Sequence, residues 1–504
     1  MIPINLNIRL ELVLRILSSL VGFIFLLLGL GFLIVPDILA TVFYVEPSRA
    51  IGINSIRGDL GALFLGMSFF TLLGSFSSPR WLLIPSVFLI LVLLGRMTSF
   101  VVDDLPMVMA SSVRLELIFL TILVLALAYN SYKLNSEENR SFFQEFHNWK
   151  ILTAIGLVSM LTICIFISRR QIGMGLWNQS VARRMNQNFV TNLPDGLHVG
   201  LAGTGAPIPD TKRVGVSTFV IAGTHIFIVD SGPGSTRNLE LMQVPLGKID
   251  AVLLTHFHSD HIGDLGELIL KAWTTGARKK PLAVIGPGGV NTIVDGFKQA
   301  YALDSDYRNA HHGSAVADLR GNGGVPIPIN LKDKEKNFIV FQNSDLKVIA
   351  FLIDHRPVIP AFGYRFDYKG RSVVISGDTL PDETLRRESR DVDLLLHEVL
   401  DPEMLSIMNQ AAAQSNSEVV RNVTHDILTY HTFPEEAARI AKEANAKHLV
   451  FHHIIPPVPM TIFHQAFLGD SRQYFDGPIT MGIEGMLFSL PSNSQKIEKG
   501  WLLR

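Results

Sequence analysis

Two patterns of hydrophobic positions divide the chain. In the first third, apolar residues come in long runs: 16–35, 60–79, 81–102, 113–132 and 151–168. At the rise of an α-helix, each run approaches the thickness of a bilayer's hydrocarbon core, so the pattern predicts five membrane-spanning helices. Arg96 interrupts the third run, Arg114 and Glu116 open the fourth, and Arg169-Arg170 stop the fifth. Gly58, Ala62 and Gly66 fall on one face of the second helix, a spacing that lets helices approach closely in lipid. Residues 171–195 are more polar and end in the turn signal Leu193-Pro-Asp-Gly196. From residue 197 the apolar runs shorten to strand length and alternate with helix-like stretches and Gly/Pro turns, the pattern of an α/β domain. The expected organisation is therefore an all-α transmembrane bundle over 1–170, a juxtamembrane linker over 171–195 and an α/β domain over 196–504.

Composition sharpens this division. Of 504 residues, 48 % are hydrophobic and the formal charge is −1, a balance that does not suggest a polyanion as an obligatory partner. The single cysteine, Cys164, excludes an intrachain disulfide and a thiolate zinc site. His147 is the only one of sixteen histidines before residue 190. Chemistry thus belongs to the C-terminal part, and the lipid bilayer is the expected partner of the N-terminal part.

The densest chemical signal is His256-Phe-His258-Ser-Asp260-His261, after the apolar run 249–255. If the strand extends into the motif, alternate residues point one way, so His256 and His258 can converge on one ion while the following turn carries Asp260 and His261 to a second position. Imidazole and carboxylate ligands suit zinc, with manganese or iron(II) as first-row alternatives. Further candidates sit where apolar runs end: His355, Asp378 and His453. A histidine or aspartate at a strand end is individually more often a turn or core residue. In order after the first motif, these become jointly informative.

These residues, together with Gly363-Tyr364-Arg365, Ser376-Gly-Asp-Thr379, His397-Glu398 and His431-Thr432, resemble the ordered motifs of the metallo-β-lactamase superfamily. Gly203-Thr-Gly-Ala-Pro-Ile-Pro-Asp210 and Pro281-Leu-Ala-Val-Ile-Gly-Pro resemble its phosphodiesterase branch, which includes the tRNA 3′-processing endonuclease RNase Z. The resemblance spans about residues 197–490 and implies an αβ/βα sandwich. It implies one metal held by His256, His258 and His355, another by Asp260, His261 and His453, and Asp378 as the bridge. It also implies His431 as proton donor to the leaving group, oriented by Glu398, with Asp260 among the catalytic residues. Two such ions would activate a water near neutral pH and neutralise charge on the attacked oxygen. Tyr364, Arg365 and Arg308 are weaker candidates for substrate contact, Arg308 lying in a polar cluster with Asp304, His311 and His312 that reads as a loop-rich insertion.

The chain departs from the RNA-processing members in two places. Those enzymes carry a protruding tRNA-gripping arm between the motif histidine and the bridging aspartate, whereas here only residues 356–377 lie between His355 and Asp378. After His453 comes Ile454-Ile-Pro-Pro-Val-Pro, where the RNA enzymes have a Ser-x-Arg-Tyr type segment. No basic cluster near the motifs compensates, and polyanion binding normally needs one. A small phosphodiester or other ester is therefore the expected substrate. An RNA 3′-end nuclease is the alternative, and a membrane sensor with a ligand-binding metal domain is a third reading. Basic residues flanking the spans nearly balance across the membrane; discounting those that can pair with Asp59 and Glu116 places the catalytic domain on the non-cytoplasmic side of a bacterial inner membrane.

Overall fold

A computed structural model of the protein describes residues 4–43, 50–102, 110–135, 173–182, 189–331 and 337–503, with a few single positions between them. The chain divides into two compact units, Met1–Asn186 and Gln187–Arg504. Their boundary falls inside the stretch expected to be a linker, of which residues 173–182 are helical.

The first unit is helical. Among the described residues, three helices are long and apolar enough to cross a membrane: Leu10–Ile34, Gly52–Phe76 and Pro79–Arg96. The fourth expected span coincides with the helix Ala110–Asn135; the fifth lies outside the described residues. The expected small-residue face is a correction. Among the described residues, a Cβ added at Gly58 or Gly66 would meet nothing within 4 Å, so no described helix packs there. Close approach is made instead from the first helix. A Cβ at Gly22 would lie 2.9 Å from Leu72 and one at Gly29 would lie 2.8 Å from Leu65. Nearby, the hydroxyls of Ser18 and Ser75 join these two helices at 2.8 Å.

The second unit is a two-sheet sandwich. Six strands open it: β1 (Gly196–Gly203), β2 (Ser217–Ala222), β3 (His225–Val229), β4 (Ala251–Leu253), β5 (Leu282–Gly286) and β6 (Gly324–Pro328). Seven more build the other sheet: β7 (Asn337–Gln342), β8 (Leu346–His355), β9 (Val358–Tyr368), β10 (Arg371–Ile375), β11 (Leu394–Leu400), β12 (Leu449–Ile455) and β13 (Ile479–Met481). The chain then returns with β14 (Met486–Pro491) and β15 (Glu498–Trp501), giving the orders β15-β14-β1-β2-β3-β4-β5-β6 and β13-β12-β11-β10-β9-β8-β7. Each sheet is antiparallel in one part and parallel in the other, from β3 to β6 and from β10 to β13. Parallel neighbours need crossover connections, which is where most of the helices lie.

Burial explains the strand sequences. The inner faces meet in a core that includes Val199, Phe227, Phe362, Phe366 and Phe488. The outer faces are also covered, so β1, β10, β11 and β12 are buried at every position and read as near-continuous apolar runs. One covering helix, Leu265–Gly276, buries Leu265, Leu268, Ile269, Ala272 and Trp273, the i, i+3, i+4, i+7, i+8 stripe of an amphipathic helix. Another, Pro434–Glu443, starts with Pro at its first position, and the Glu436 carboxylate accepts the Phe433 N–H. The architecture is therefore the expected αβ/βα sandwich.

Candidate metal centre

The candidate ligands gather where strands give out. β4 stops at Leu253, so His256 and His258 lie in the loop beyond it and not on a strand end as expected; the helical turn Ser259–Ile262 then carries Asp260 and His261. His355 closes β8, and Asp378 follows β10 after Gly377. Gly377 has φ +64°, and a Cβ there would lie 2.7 Å from the Phe362 carbonyl, so this turn requires glycine. His453 is the extra residue of a bulge in β12: Glu398 pairs with His452, Val399 with Ile454, and His453 has φ +49°. A bulge re-aims a side chain.

The outcome is two groups whose nitrogen or oxygen atoms lie within 4.8 Å of one another, His256, His258, His355 and Asp378, and Asp260, His261 and His453, with a third, Asp378, His431 and His453, that shares a member with each. Asp378 reaches both. Its Oδ2 is 3.3 Å from Nε2 of His261 and of His453, 3.9 Å from Nε2 of His256 and 4.0 Å from Nε2 of His355. His453 Nε2 is also 3.1 Å from Asp260 Oδ2.

The surrounding hydrogen bonds fix which ring nitrogen faces inward. Asp230 Oδ2 accepts from His261 Nδ1 at 2.9 Å and from the Thr255 hydroxyl at 2.8 Å. With its proton committed to Asp230, the Thr255 oxygen accepts from His256 Nδ1 at 3.1 Å. The Tyr430 carbonyl accepts from His355 Nδ1 at 3.1 Å. Each outer nitrogen is thus engaged as a donor, which leaves Nε2 of His256, His261 and His355 as the atom turned to the interior. Nε2 of His261, Nε2 of His355 and Oδ1 of Asp378 are buried and have no hydrogen-bond partner. Buried polar atoms are rarely left so, and a pair of divalent cations would satisfy them. The residues present fit two metal ions.

Charge follows the same arrangement. Burial, then the neighbouring His261, pushes His256 well below the usual imidazole range. Burial holds His355 down to about 4. Burial also opposes charge on His261, but Asp378, Asp260 and Asp230 outweigh it and raise that imidazole well above its ordinary value. Burial opposes charge on Asp378, yet His453 and His261 keep its carboxyl well below the usual range.

His431 sits across the cluster, with its ring 5.5 Å from that of His355 and 5.6 Å from that of His453. Its Nδ1 is 3.2 Å from Glu398 Oε1, which also accepts the N–H groups of Thr379 and Thr432. Burial lowers His431 and, with the nearby Asp378, raises Glu398 well above the carboxylate range.

Three expected substrate contacts are elsewhere. Tyr364 is fully buried, and its hydroxyl donates to the Leu254 carbonyl at 2.7 Å, so it is a core residue. Arg365 points away into a polar depression, where it pairs with Asp367 and donates to the Glu388 carbonyl. Arg308 pairs with Asp304 one turn earlier on the helix Ala302–His312, and no described contact joins it to the cluster. The cluster expected to be loop-rich is that helix. Conversely, motif spacing does not single out Asp230 or Thr255, although Asp230 follows β3 just before Ser-Gly-Pro-Gly. A third support joins distant segments: Glu484 Oε1 accepts the Thr204 and Val214 N–H groups, and Thr204 O accepts the N–H of Ile454, next to His453.

A sandwich with this histidine–aspartate cluster at its strand ends defines a class of metal-dependent hydrolases, and comparison with known proteins agrees. Residues 210–453 match the family model described as the metallo-beta-lactamase superfamily. A ribonuclease Z of Mycobacterium sp. (strain KMS) is 34 % identical over 263 residues, 52 % of this chain and 85 % of that protein. A ribonuclease Z of Mycobacterium marinum is 35 % identical over 264 residues, 52 % of this chain and 88 % of that protein. The crystal structure of human tRNase Z, short form, is similar with a TM-score of 0.41 at 24 % identity, covering 58 % of this chain and 99 % of that one. The chain belongs to the metallo-β-lactamase superfamily, in its ribonuclease Z-like branch.

Proposed function

We propose that the chain is a membrane-anchored, dinuclear-metal phosphodiesterase acting on small esters. The observation that carries this is the convergence of His256, His258, His355, Asp260, His261 and His453 on one shared carboxylate, Asp378. Divalent ions held by these residues, zinc first among the candidates, would supply a nucleophile from water at neutral pH and would neutralise charge on the phosphoryl oxygens. The chain's own contribution is to hold the inward tautomers and to place a proton. Hydrolysis joins a hydroxyl to phosphorus and breaks the bond to the departing oxygen, which takes its proton from His431. Glu398, anchored by Thr379 and Thr432, keeps His431 in position.

The experiment is metal analysis of the full chain in detergent, combined with hydrolysis of bis-(p-nitrophenyl) phosphate. Two ions per chain and measurable turnover are expected. Asp378→Ala should lose both ions, whereas His431→Ala should keep them and lower kcat by about 10²–10⁴. One ion or none in an active preparation overturns the two-metal reading.

The second reading is a tRNA 3′-processing nuclease, favoured by relatives that carry that name. Against it, residues 356–377 are consumed by a turn, β9, a two-residue turn, β10 and the Asp378 loop, with no room for an arm. Cleavage of a precursor tRNA in preference to small diesters would favour the nuclease. We place the catalytic unit on the non-cytoplasmic side; a reporter fused after Arg504 that registers only in the cytoplasm reverses this and strengthens the nuclease reading.

A further inference from the structure

One cavity beside the cluster has no part in the chemistry above. It measures about 200 Å³. His256 and His258 line it together with Phe257, Val358, Ile359 and Pro360. Phe257 is the residue between two candidate ligands, and Val358–Pro360 open β9 directly after the His355 turn. The cavity is thus built from the segments that carry three of the candidate ligands. Its lining holds no lysine, arginine, carboxylate or side-chain amide. Ile359 is 73 % exposed, a large apolar side chain lining a pocket that it shares with two candidate ligands.

The lining decides what can occupy the space. A sugar or a second phosphate entering it would give up water and find no side-chain hydrogen-bonding partner apart from the two histidines. A nucleic-acid strand brings a phosphate with every nucleotide and needs cations along its path. A hydrocarbon group loses nothing on entry, and it covers Phe257 and Ile359 from water. At about 30 Å³ per water-sized group, the cavity has room for roughly six or seven such groups.

We propose that this cavity is the subsite for an alkyl group on one side of the scissile ester, which makes the substrate an amphiphilic phosphodiester. The proposal rests on the phosphodiesterase reading. It accounts for an isoleucine exposed beside seven polar ligands. It also names a substrate class that partitions into a bilayer, the phase suited to the three long apolar helices among the described residues.

The test uses the full chain in nanodiscs, loaded with zinc, and a series of p-nitrophenyl alkyl phosphates from methyl to hexyl. Full burial of a methylene corresponds to about a fourfold gain, so kcat/KM should rise at least about 30-fold from methyl to hexyl. Ile359→Ser should flatten that slope to a few-fold. Its side chain is largely exposed, so the fold should survive, and both proteins see the same nanodisc, so partitioning of the probe cancels. Hydrolysis with equal kcat/KM along the series overturns the subsite and leaves the phosphodiesterase reading standing. An unchanged slope in Ile359→Ser does the same. No hydrolysis of any member by protein with two bound ions overturns the phosphodiesterase reading, and the subsite with it. Preference for a precursor tRNA over the hexyl ester overturns the subsite in favour of the nuclease.

Discussion

Asp230 shows how much of a metal centre is set by a residue that is not itself a ligand. It stands at φ +58° just past β3, and its two oxygens accept the Thr255 N–H, the Thr255 hydroxyl and His261 Nδ1. Through His261 and Thr255 it sets the orientation of two imidazoles, and it lends negative charge to His261. Asp230→Asn isolates that role, because asparagine tolerates the left-handed backbone and still offers one acceptor oxygen. The expected result is intact folding with metal affinity lowered about 10–100-fold, read by competition with a chelator. Unchanged affinity would mean that Thr255 and burial alone hold the rings. In the sequence, Asp230 was visible only as the end of an apolar run. Nothing in its spacing distinguishes a carboxylate that supports a ligand from one that ends a turn, because the contact spans thirty-one positions.

At the level of elements, the site depends on how closely two loops approach. A Cβ built at Gly232 would fall 2.0 Å from the Asp260 carbonyl oxygen and 2.5 Å from Gly215. Both neighbours are backbone, so neither can swing aside. Gly232→Ala must therefore push the loop after β3 away from the turn that carries Asp260 and His261. The expected outcome is loss of metal from at least the group formed by Asp260, His261 and His453, seen by metal analysis, together with a lower melting temperature. Gly296→Ala is the control. It lies on an exposed helix face with nothing within 4 Å, and should be neutral or stabilising by about 0.5–1 kcal/mol. Retention of both ions in Gly232→Ala would show that the two loops separate freely. The same elements show what was legible beforehand. His256, His258, Asp260 and His261 stand within six positions, and His355, Asp378 and His453 each close an apolar run, so local pattern reaches all seven. Tyr364 and Arg365 were misplaced because adjacent residues on a strand face opposite ways: one entered the core and the other the far surface. Register, which a motif does not encode, decided that both miss the cluster. Likewise, alternation alone turns His452 away from His453, whereas the bulge in β12 supplies the aim of His453.

For the whole molecule, the open question is how a superfamily catalytic unit behaves on a chain whose other unit is helical and apolar. The helices Leu83–Val102 and Ala110–Asn135 are joined by a bidentate pair, Arg96 Nε to Glu116 Oε1 at 2.9 Å and Oε2 at 3.1 Å. Side chains of this kind within apolar helices are costly unless paired, so the pair ties the two helices while cancelling most of that cost. If the unit sits in lipid, the full chain should remain with membranes through an alkaline carbonate wash and be released only by detergent. Glu116→Ala would leave the Arg96 guanidinium, at the end of its candidate span, without this carboxylate. The expected result is a lower aggregation temperature in detergent. The double variant Arg96→Leu with Glu116→Leu should regain stability, because no charge is then stranded. The two units are separately compact, so the number of metal ions held by Glu116→Ala below its melting temperature should equal that of the unaltered chain. Release by carbonate would remove the membrane reading. Loss of metal on Glu116→Ala would show instead that the helical unit acts on the metal centre.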